Sequence, residues 1–326
     1  MTAPVRVGVI GTGFGARVVA PTFASTEGCE VVDVVSARDD EAIVSLCRRA
    51  DLDLVSVHSP PFLHADHVRR ALDAGRAVLC DKPFARDCVE AASLLGDAEA
   101  AGVIHLVNFE FRFDPSRRHV RELLATGAAG RPEHVQWTHL SSGSRVPLRP
   151  FGWLFDREQG GGWIGAWASH AVDTLRFLLG AELDVVASVP RTAVPRRPDR
   201  DGVLRPCTAE DGLAAALRST DGATIAIDSS FAAPATLPPR LVIVGDDGVI
   251  ENVADAKVAL HRADGTRDTT TFERAAGDRH GGPMARWAEV VRDAVRAGIA
   301  PPDAATFADG LACDRVLDAL RRPAIV

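Results

Sequence analysis

The sequence predicts an α/β protein of two domains: an N-terminal, doubly wound parallel sheet, then an α+β domain with a large, mostly antiparallel open sheet. Three observations carry this expectation. A length of 326 residues suits two packed cores better than one. Short apolar runs alternate with helical patterns as far as about residue 112. Beyond that point strand-like runs follow one another, separated by turns such as Asp221-Gly222 and Asp264-Gly265.

The elements justify themselves in order. The run Val5 to Ile10 (VRVGVI) is short, apolar and stopped by Gly11, as a strand buried on both faces should be. A helix is expected from Arg17 to about Ser25, with further strands at 31–35, 54–58, 77–80 and 105–108. Helices at about 41–49, 64–74 and 89–101 separate those strands. After Arg112 come a helix at 115–125, a strand at 134–139, a Pro/Gly-rich loop at 141–162 and a helix at 169–179. Strands are then expected at 185–189, 213–217, 223–227, 241–244 and 258–261, and helices at 284–297 and 306–321 close the chain. The Arg/Pro-rich stretch 194–206 reads as an exposed loop.

Composition narrows the function. A formal charge of −7 leaves no basic patch for nucleic acid and no polybasic stretch for a membrane surface. No apolar run approaches a membrane span. The six cysteines are scattered without a CxxC pair, which argues against a structural metal site and for a reducing, cytoplasmic setting. There is no tyrosine, so no tyrosine acid can serve catalysis. Lysine occurs only as Lys82 and Lys257, arginine supplying every other basic side chain. Arginine holds its proton near neutral pH and lysine can be made to release one, so a lysine kept at position 82 draws suspicion.

The chemistry starts at Gly11-Thr12-Gly13-Phe14-Gly15-Ala16. A strand, then G-x-G-x-x-A, then a helix is the dinucleotide-binding context of a Rossmann domain: Gly11 for the tight turn, Gly13 for close approach of the pyrophosphate, Ala16 for helix–strand packing. We therefore assign 1–112 to dinucleotide binding, with 113–326 as the second domain. The second strand ends in Ser36-Ala37-Arg38, without the carboxylate that usually holds the ribose hydroxyl of NAD. A guanidinium suits a 2′-phosphate, which favours NADP(H), with NAD(H) the alternative.

Three further segments align. Ser59-Pro60-Pro61-Phe62-Leu63-His64 follows one strand, Cys80-Asp81-Lys82-Pro83 another, and Gly160-Gly161-Gly162 precedes a helix carrying His170 and Asp173. With Arg112 in Phe-Glu-Phe-Arg-Phe-Asp-Pro and the closing helix entry at 302–310, this order resembles the Gfo/Idh/MocA (glucose–fructose oxidoreductase and inositol dehydrogenase-like) family. That family shows a GxGxxG/A start, a TPPxxxH-like loop, an EKP motif and a GGGxLxDxGxHxxD segment. The resemblance implies that Lys82 and His170 are catalytic and face the nicotinamide and substrate. It adds Ser59, Pro60, His64, Asp81 and Lys82 itself to the cofactor site formed by Gly11, Gly13, Phe14, Gly15, Ala16, Ser36 and Arg38, and gives 113–326 the roles of substrate binding and oligomerisation. Substrate would meet Arg112, Trp163, Trp167, His170 and Asp173.

This chain departs from the pattern in three places. The aspartate expected four residues before the histidine is Ala166, the EKP glutamate is Asp81, and the segment from Arg38 to Asp53 is short for a helix plus a strand. The expected activity is hydride transfer between nicotinamide and a sugar, cyclitol or related hydroxy/keto compound. The expected assembly is a homodimer or homotetramer. A redox-neutral, cofactor-using glycosidase or epimerase and a non-catalytic sugar-binding regulator are the alternatives.

Overall fold

The computed structural model describes residues 3–273 and 279–322. The chain divides into two units, Met1–Phe113 with Gly277–Asp314, and Asp114–Ala276 with Arg315–Val326. In the first unit the apolar runs become β1 (Val5–Ile10), β2 (Cys29–Val35), β3 (Leu54–Val57), β4 (Ala77–Cys80) and β5 (His105–Val107). They pair in the order β2-β1-β3-β4-β5, all parallel. Helices α1 (Ala20–Ser25), α2 (Asp40–Cys47), α3 (His64–Asp73) and α4 (Cys88–Ala101) connect them. Asp39 and Asp87 start α2 and α4 by accepting hydrogen bonds from first-turn amides. After α2 the chain goes directly to β3 on the far side of β1. The strand that would lie beyond β2 is missing, as the short 38–53 segment requires.

The helix expected at 17–25 opens instead with a wide π-helical turn, Gly15–Val19, before α1. A larger difference lies at the other end of the chain. The sequence reading runs the second domain from 113 to 326, whereas Gly277–Asp314 belongs with the parallel sheet. The physical reason is apolar: Met284, Trp287, Ala288, Val291 and Ala294 of α7 (Gly281–Ala297) enter the core formed by Val5, Val7, Val9, Phe23 and Leu79. Trp287 is fully buried and stacks on Phe113 at 5.3 Å.

The second unit holds α5 (Pro115–Ala125), β6 (Pro132–Leu140), α6 (Ser169–Leu179) and β7 (Leu183–Arg191). A small hairpin follows, β8 (Arg196–Pro198) with β9 (Leu204–Pro206). Then come β10 (Gly212–Ser219), β11 (Thr224–Ser230), β12 (Arg240–Gly245), β13 (Gly248–Val253), β14 (Lys257–Arg262) and β15 (Arg267–Thr271). Eight of these strands form one sheet, β15-β14-β13-β12-β6-β11-β10-β7, antiparallel except where β11 pairs with β6. Its inward side chains, among them Val135, Ile225, Ile227 and Ile243, are buried, and α5 packs on β13, β14 and α6. The opposite face leaves Ala214, Ala216 and Val189 exposed.

Strands β13 and β15 are additions to the sequence reading. Inward-facing Asn252 interrupts the apolar alternation of β13, and every residue of the edge strand β15 is exposed. The stretch 194–206 is a correction: it is the β8–β9 hairpin, and its Arg197 is fully buried. The Arg197 guanidinium lies 3.9 Å from the centre of the Phe155 ring and donates to the Ser144 and Arg149 carbonyl oxygens. A buried cation held in this way fixes the 144–155 loop to the hairpin.

Candidate active site

The register of a parallel sheet sets its carboxyl edge. Val35, Ile10, Val57, Cys80 and Val107 are successive partners across the five strands. The residues one step further on, Ser36, Gly11, His58, Asp81 and Asn108, therefore form a row where a ligand of such a sheet binds. The backbone continues the pairing into that row: Gly11 N donates to Val35 O, His58 N to Ile10 O, Asp81 N to Val57 O and Asn108 N to Cys80 O.

Gly11 has φ +130°, and a Cβ there would collide with the His58 carbonyl. Both facts demand glycine. A Cβ on Gly13 would meet nothing within 4 Å, so the backbone is open on the side a pyrophosphate must approach. Gly15 lies under Val9 and His58, whose atoms would stand 3.0–3.1 Å from a Cβ. Phe14 is half-buried, its ring edge-on to His280 at 5.0 Å, and Ala16 lies within the wide first turn. Ser36 Oγ accepts from Arg38 N at 3.2 Å, and the Arg38 side chain is exposed. These residues fit a dinucleotide. The glycine loop would receive its pyrophosphate, and Ser36 with Arg38 would stand beside its adenosine ribose.

The two loops beyond β3 and β4 are tied together by His64, whose Nε2 lies 2.8 Å from Ser59 O and Nδ1 3.2 Å from Phe84 O. Burial holds this imidazole below its ordinary pKa. Ser59 Oγ meets His67 Nδ1 at 3.0 Å, and Pro60 leads into a short 3₁₀ turn. Asp81 accepts from its neighbour's amide, Lys82 N, at 2.9 Å and from Asn108 Nδ2 at 3.2 Å. Its other oxygen lies 3.3 Å from His58 Nδ1. Burial alone pushes the Asp81 carboxyl up, but His58 and the Lys82 charge outweigh burial and hold it well below the usual carboxylate range. Lys82 is half-buried at this edge. Although one methylene shorter than the motif's glutamate, Asp81 accepts hydrogen bonds at this edge.

Arg112, expected at the substrate, is buried and pairs with Asp309 at 2.9 Å. Sequence reasoning missed four members of this unit: His58, Asn108, Glu110 and His280. Glu110 is buried and meets His280 Nδ1 at 2.7 Å, and the imidazole stacks on Phe111 at 5.4 Å. The sequence reading makes the first two the last residues of the strands 54–58 and 105–108, whereas those strands end at Val57 and Val107 and leave both in the strand-end row.

In the second unit the triple glycine positions α6. A Cβ on Gly161 would collide with the Trp153 carbonyl, and Gly162, at φ +110°, lies against the Glu210 carboxylate. That carboxylate accepts from Ile164 N at 3.0 Å and so starts the wide turn Ile164–Ala168, which holds Ala166. His170 and, three residues on, Asp173 share one side of α6, and both are buried. Trp163 is not an open platform. It is buried, its indole N–H donates to Ser229 Oγ at 2.8 Å, and its ring stacks on Phe231 at 4.2 Å. Trp167 is half-buried and stacks on His139 at 5.1 Å, so it retains an accessible side. Among the described residues no His/Cys/Asp/Glu cluster could hold a metal ion, and no helix is long and apolar enough to cross a membrane.

The chain is similar in sequence and fold to known proteins. Residues 5–109 match the model of the oxidoreductase family with an NAD-binding Rossmann fold, and residues 117–251 match the Gfo/Idh/MocA C-terminal domain. An uncharacterized oxidoreductase of Synechocystis sp. is 33% identical over 63% of this chain, and levoglucosan dehydrogenase of Pseudarthrobacter phenanthrenivorans is 31% identical over 47%. The chain spans 60% and 39% of those two relatives' lengths. Inositol 2-dehydrogenase 3 of Saccharopolyspora erythraea is 28% identical over 99% of this chain and 95% of its own length. The solved structure of levoglucosan dehydrogenase with NADH and levoglucosan shares the fold, with a TM-score of 0.86, 23% identity, and coverage of 97% of this chain and 96% of that one. By its order of motifs, its strand-end row and both family matches, the chain belongs to the Gfo/Idh/MocA family of oxidoreductases.

Proposed function

We propose that the chain is an NADP(H)-dependent oxidoreductase that moves a hydride between nicotinamide and a sugar, cyclitol or related hydroxy/keto compound. The observation that carries the reading is the place of Lys82. It is one of only two lysines, and it directly follows an ionised Asp81 in the row that starts from the dinucleotide loop. The names of the relatives (levoglucosan and inositol dehydrogenases) point to the substrate class.

When bound, the dinucleotide supplies a hydride donor or acceptor at the nicotinamide C4. The protein's task is the proton that must leave or join the substrate oxygen. Lys82 Nζ takes the hydroxyl proton as the carbonyl forms, and in reduction its ammonium polarises the carbonyl and returns the proton. His170 is the second proton-handling group. It works without a carboxylate four residues earlier, because Ala166 stands there.

The cofactor preference follows from the end of β2. Ser36 and the exposed Arg38 can hold a 2′-phosphate, and no carboxylate at the strand end repels it. Thermal-shift titration with NAD⁺, NADH, NADP⁺ and NADPH tests this. NADP(H) is expected to stabilise the protein more than NAD(H), and Arg38→Ala is expected to lower NADPH affinity about tenfold with little change for NADH. A variant that binds NADPH as wild type does would remove Arg38 from the cofactor site, and a stronger wild-type response to NAD(H) would make NAD(H) the partner.

A further inference from the structure

We propose that His58 is a positioning residue for Lys82, acting through Asp81 by competing with the lysine for that carboxylate. The proposal rests on the reading of Lys82 as the proton-handling group and adds what sets it.

The geometry is local to the dinucleotide-binding unit. His58 and Asp81 occupy neighbouring places in the strand-end row, because Val57 pairs with Cys80. The His58 side chain is fully buried, whereas that of Asp81 is 15% exposed. His58 Nδ1 approaches Asp81 Oδ2 to 3.3 Å, within electrostatic reach although not aligned as a good hydrogen bond. Its Nε2 is held by Ser56 Oγ at 2.7 Å, from two residues back on the same face of β3. The ring is thus locked between a hydroxyl and a carboxylate. Phe14 of the glycine loop packs on it, with ring centroids 5.9 Å apart.

The groups that bear on this ring come from every neighbouring element: Asp81 and Lys82 after β4, His64 on α3, Ser56 on β3 and Phe14 before α1. Asp81 is the only carboxylate among them. It also takes the Asn108 amide and the Lys82 backbone N–H on its other oxygen. A carboxylate engaged on both oxygens attracts the Lys82 ammonium less than one left to the lysine alone. His58 therefore eases release of the lysine proton. Since His58 also underlies Gly11 and Gly15, it joins the dinucleotide loop to the catalytic dipeptide.

The scarcity of lysine makes the test direct. Reductive methylation with ¹³C-formaldehyde labels Lys82, Lys257 and the α-amino group, and Lys257→Arg assigns the Lys82 resonance. Its chemical shift is then followed against pH, with exposed Lys257 as internal reference. His58→Leu is expected to move the Lys82 midpoint upward by about 0.5–1 pH unit and to leave Lys257 where it is. In an Asp81→Asn background the same substitution should move it by less than about 0.2 unit. If the leucine variant does not fold, His58→Ala, which has no atom that can approach the carboxylate, gives the same reading. An unmoved Lys82 midpoint in a folded variant overturns the proposal, and so does an equal shift without the Asp81 carboxylate. The titration needs neither cofactor nor turnover. A coupled but dispensable Lys82 would overturn the catalytic reading, and an essential but uncoupled Lys82 would overturn this one.

Discussion

Replacing Lys82 by methionine is expected to lower kcat by about 10²–10⁴-fold while the dinucleotide-induced thermal shift stays within about 1 °C of wild type. Methionine keeps the length and apolar stem of lysine and removes the titrating amine, so the loss isolates proton handling. Asp81 and its partners Asn108 and His58 remain to hold the loop. Steady-state turnover and a thermal melt on the same preparation provide both numbers. Unchanged turnover would remove Lys82 from the chemistry. A simultaneous loss of dinucleotide binding would make it a cofactor ligand instead.

The second large effect concerns the core. Trp287→Ala deletes a fully buried ring that stacks on Phe113 within the apolar core of the parallel sheet. Phe/Trp→Ala substitutions at such sites cost about 3–5 kcal/mol. The melt should fall by about 10 °C, and the dinucleotide should recover part of the loss by mass action. Urea denaturation followed by circular dichroism checks the cost. A value below about 1 kcal/mol would mean that α7 is not integral to the dinucleotide-binding unit.

That helix marks the main limit on what the sequence discloses. Periodicity identifies α7 as amphipathic, but nothing in its own residues says which of two sheets its apolar face meets, and chain order points to the wrong one. The parallel strands, by contrast, are legible because burial on both faces demands continuous apolar runs such as VRVGVI and LVSV. Strands β13 and β15 escape the same logic. Asn252 turns inward to donate to Ser116 Oγ at 3.2 Å, and the residues of β15 bury nothing. The hairpin holding Arg197 reads as a loop because arginine and proline normally face water. The Phe155 ring, the surrounding carbonyls, Ser144 Oγ and the buried Asp211 carboxylate 4.0 Å away make a buried guanidinium tolerable there.

The candidate site divides along the same line. Gly11, Gly13 and Lys82 are legible from motif and position, since a tight turn and a scarce residue type leave few other readings. The burial of Trp163 is not legible, because an aromatic ring after a glycine turn suits a sugar platform and a packed stack equally. The partnership of Arg112 with Asp309 spans 197 positions of sequence, and no local pattern reports it. His58 and Asn108 were hidden because their role depends on strand register, which places residues 56, 58, 81 and 108 together only once the sheet is built.

The most direct test of the account is absorbance at 340 nm. Purified protein, shown by denaturation and absorbance to carry no bound nucleotide, is mixed with NADP⁺ or NAD⁺ and a panel of aldoses, cyclitols and anhydro-sugars. The account predicts a rise at 340 nm with at least one of them, faster with NADP⁺ and abolished by Lys82→Met. No change with any substrate, together with no binding of any of the four dinucleotides, would contradict it.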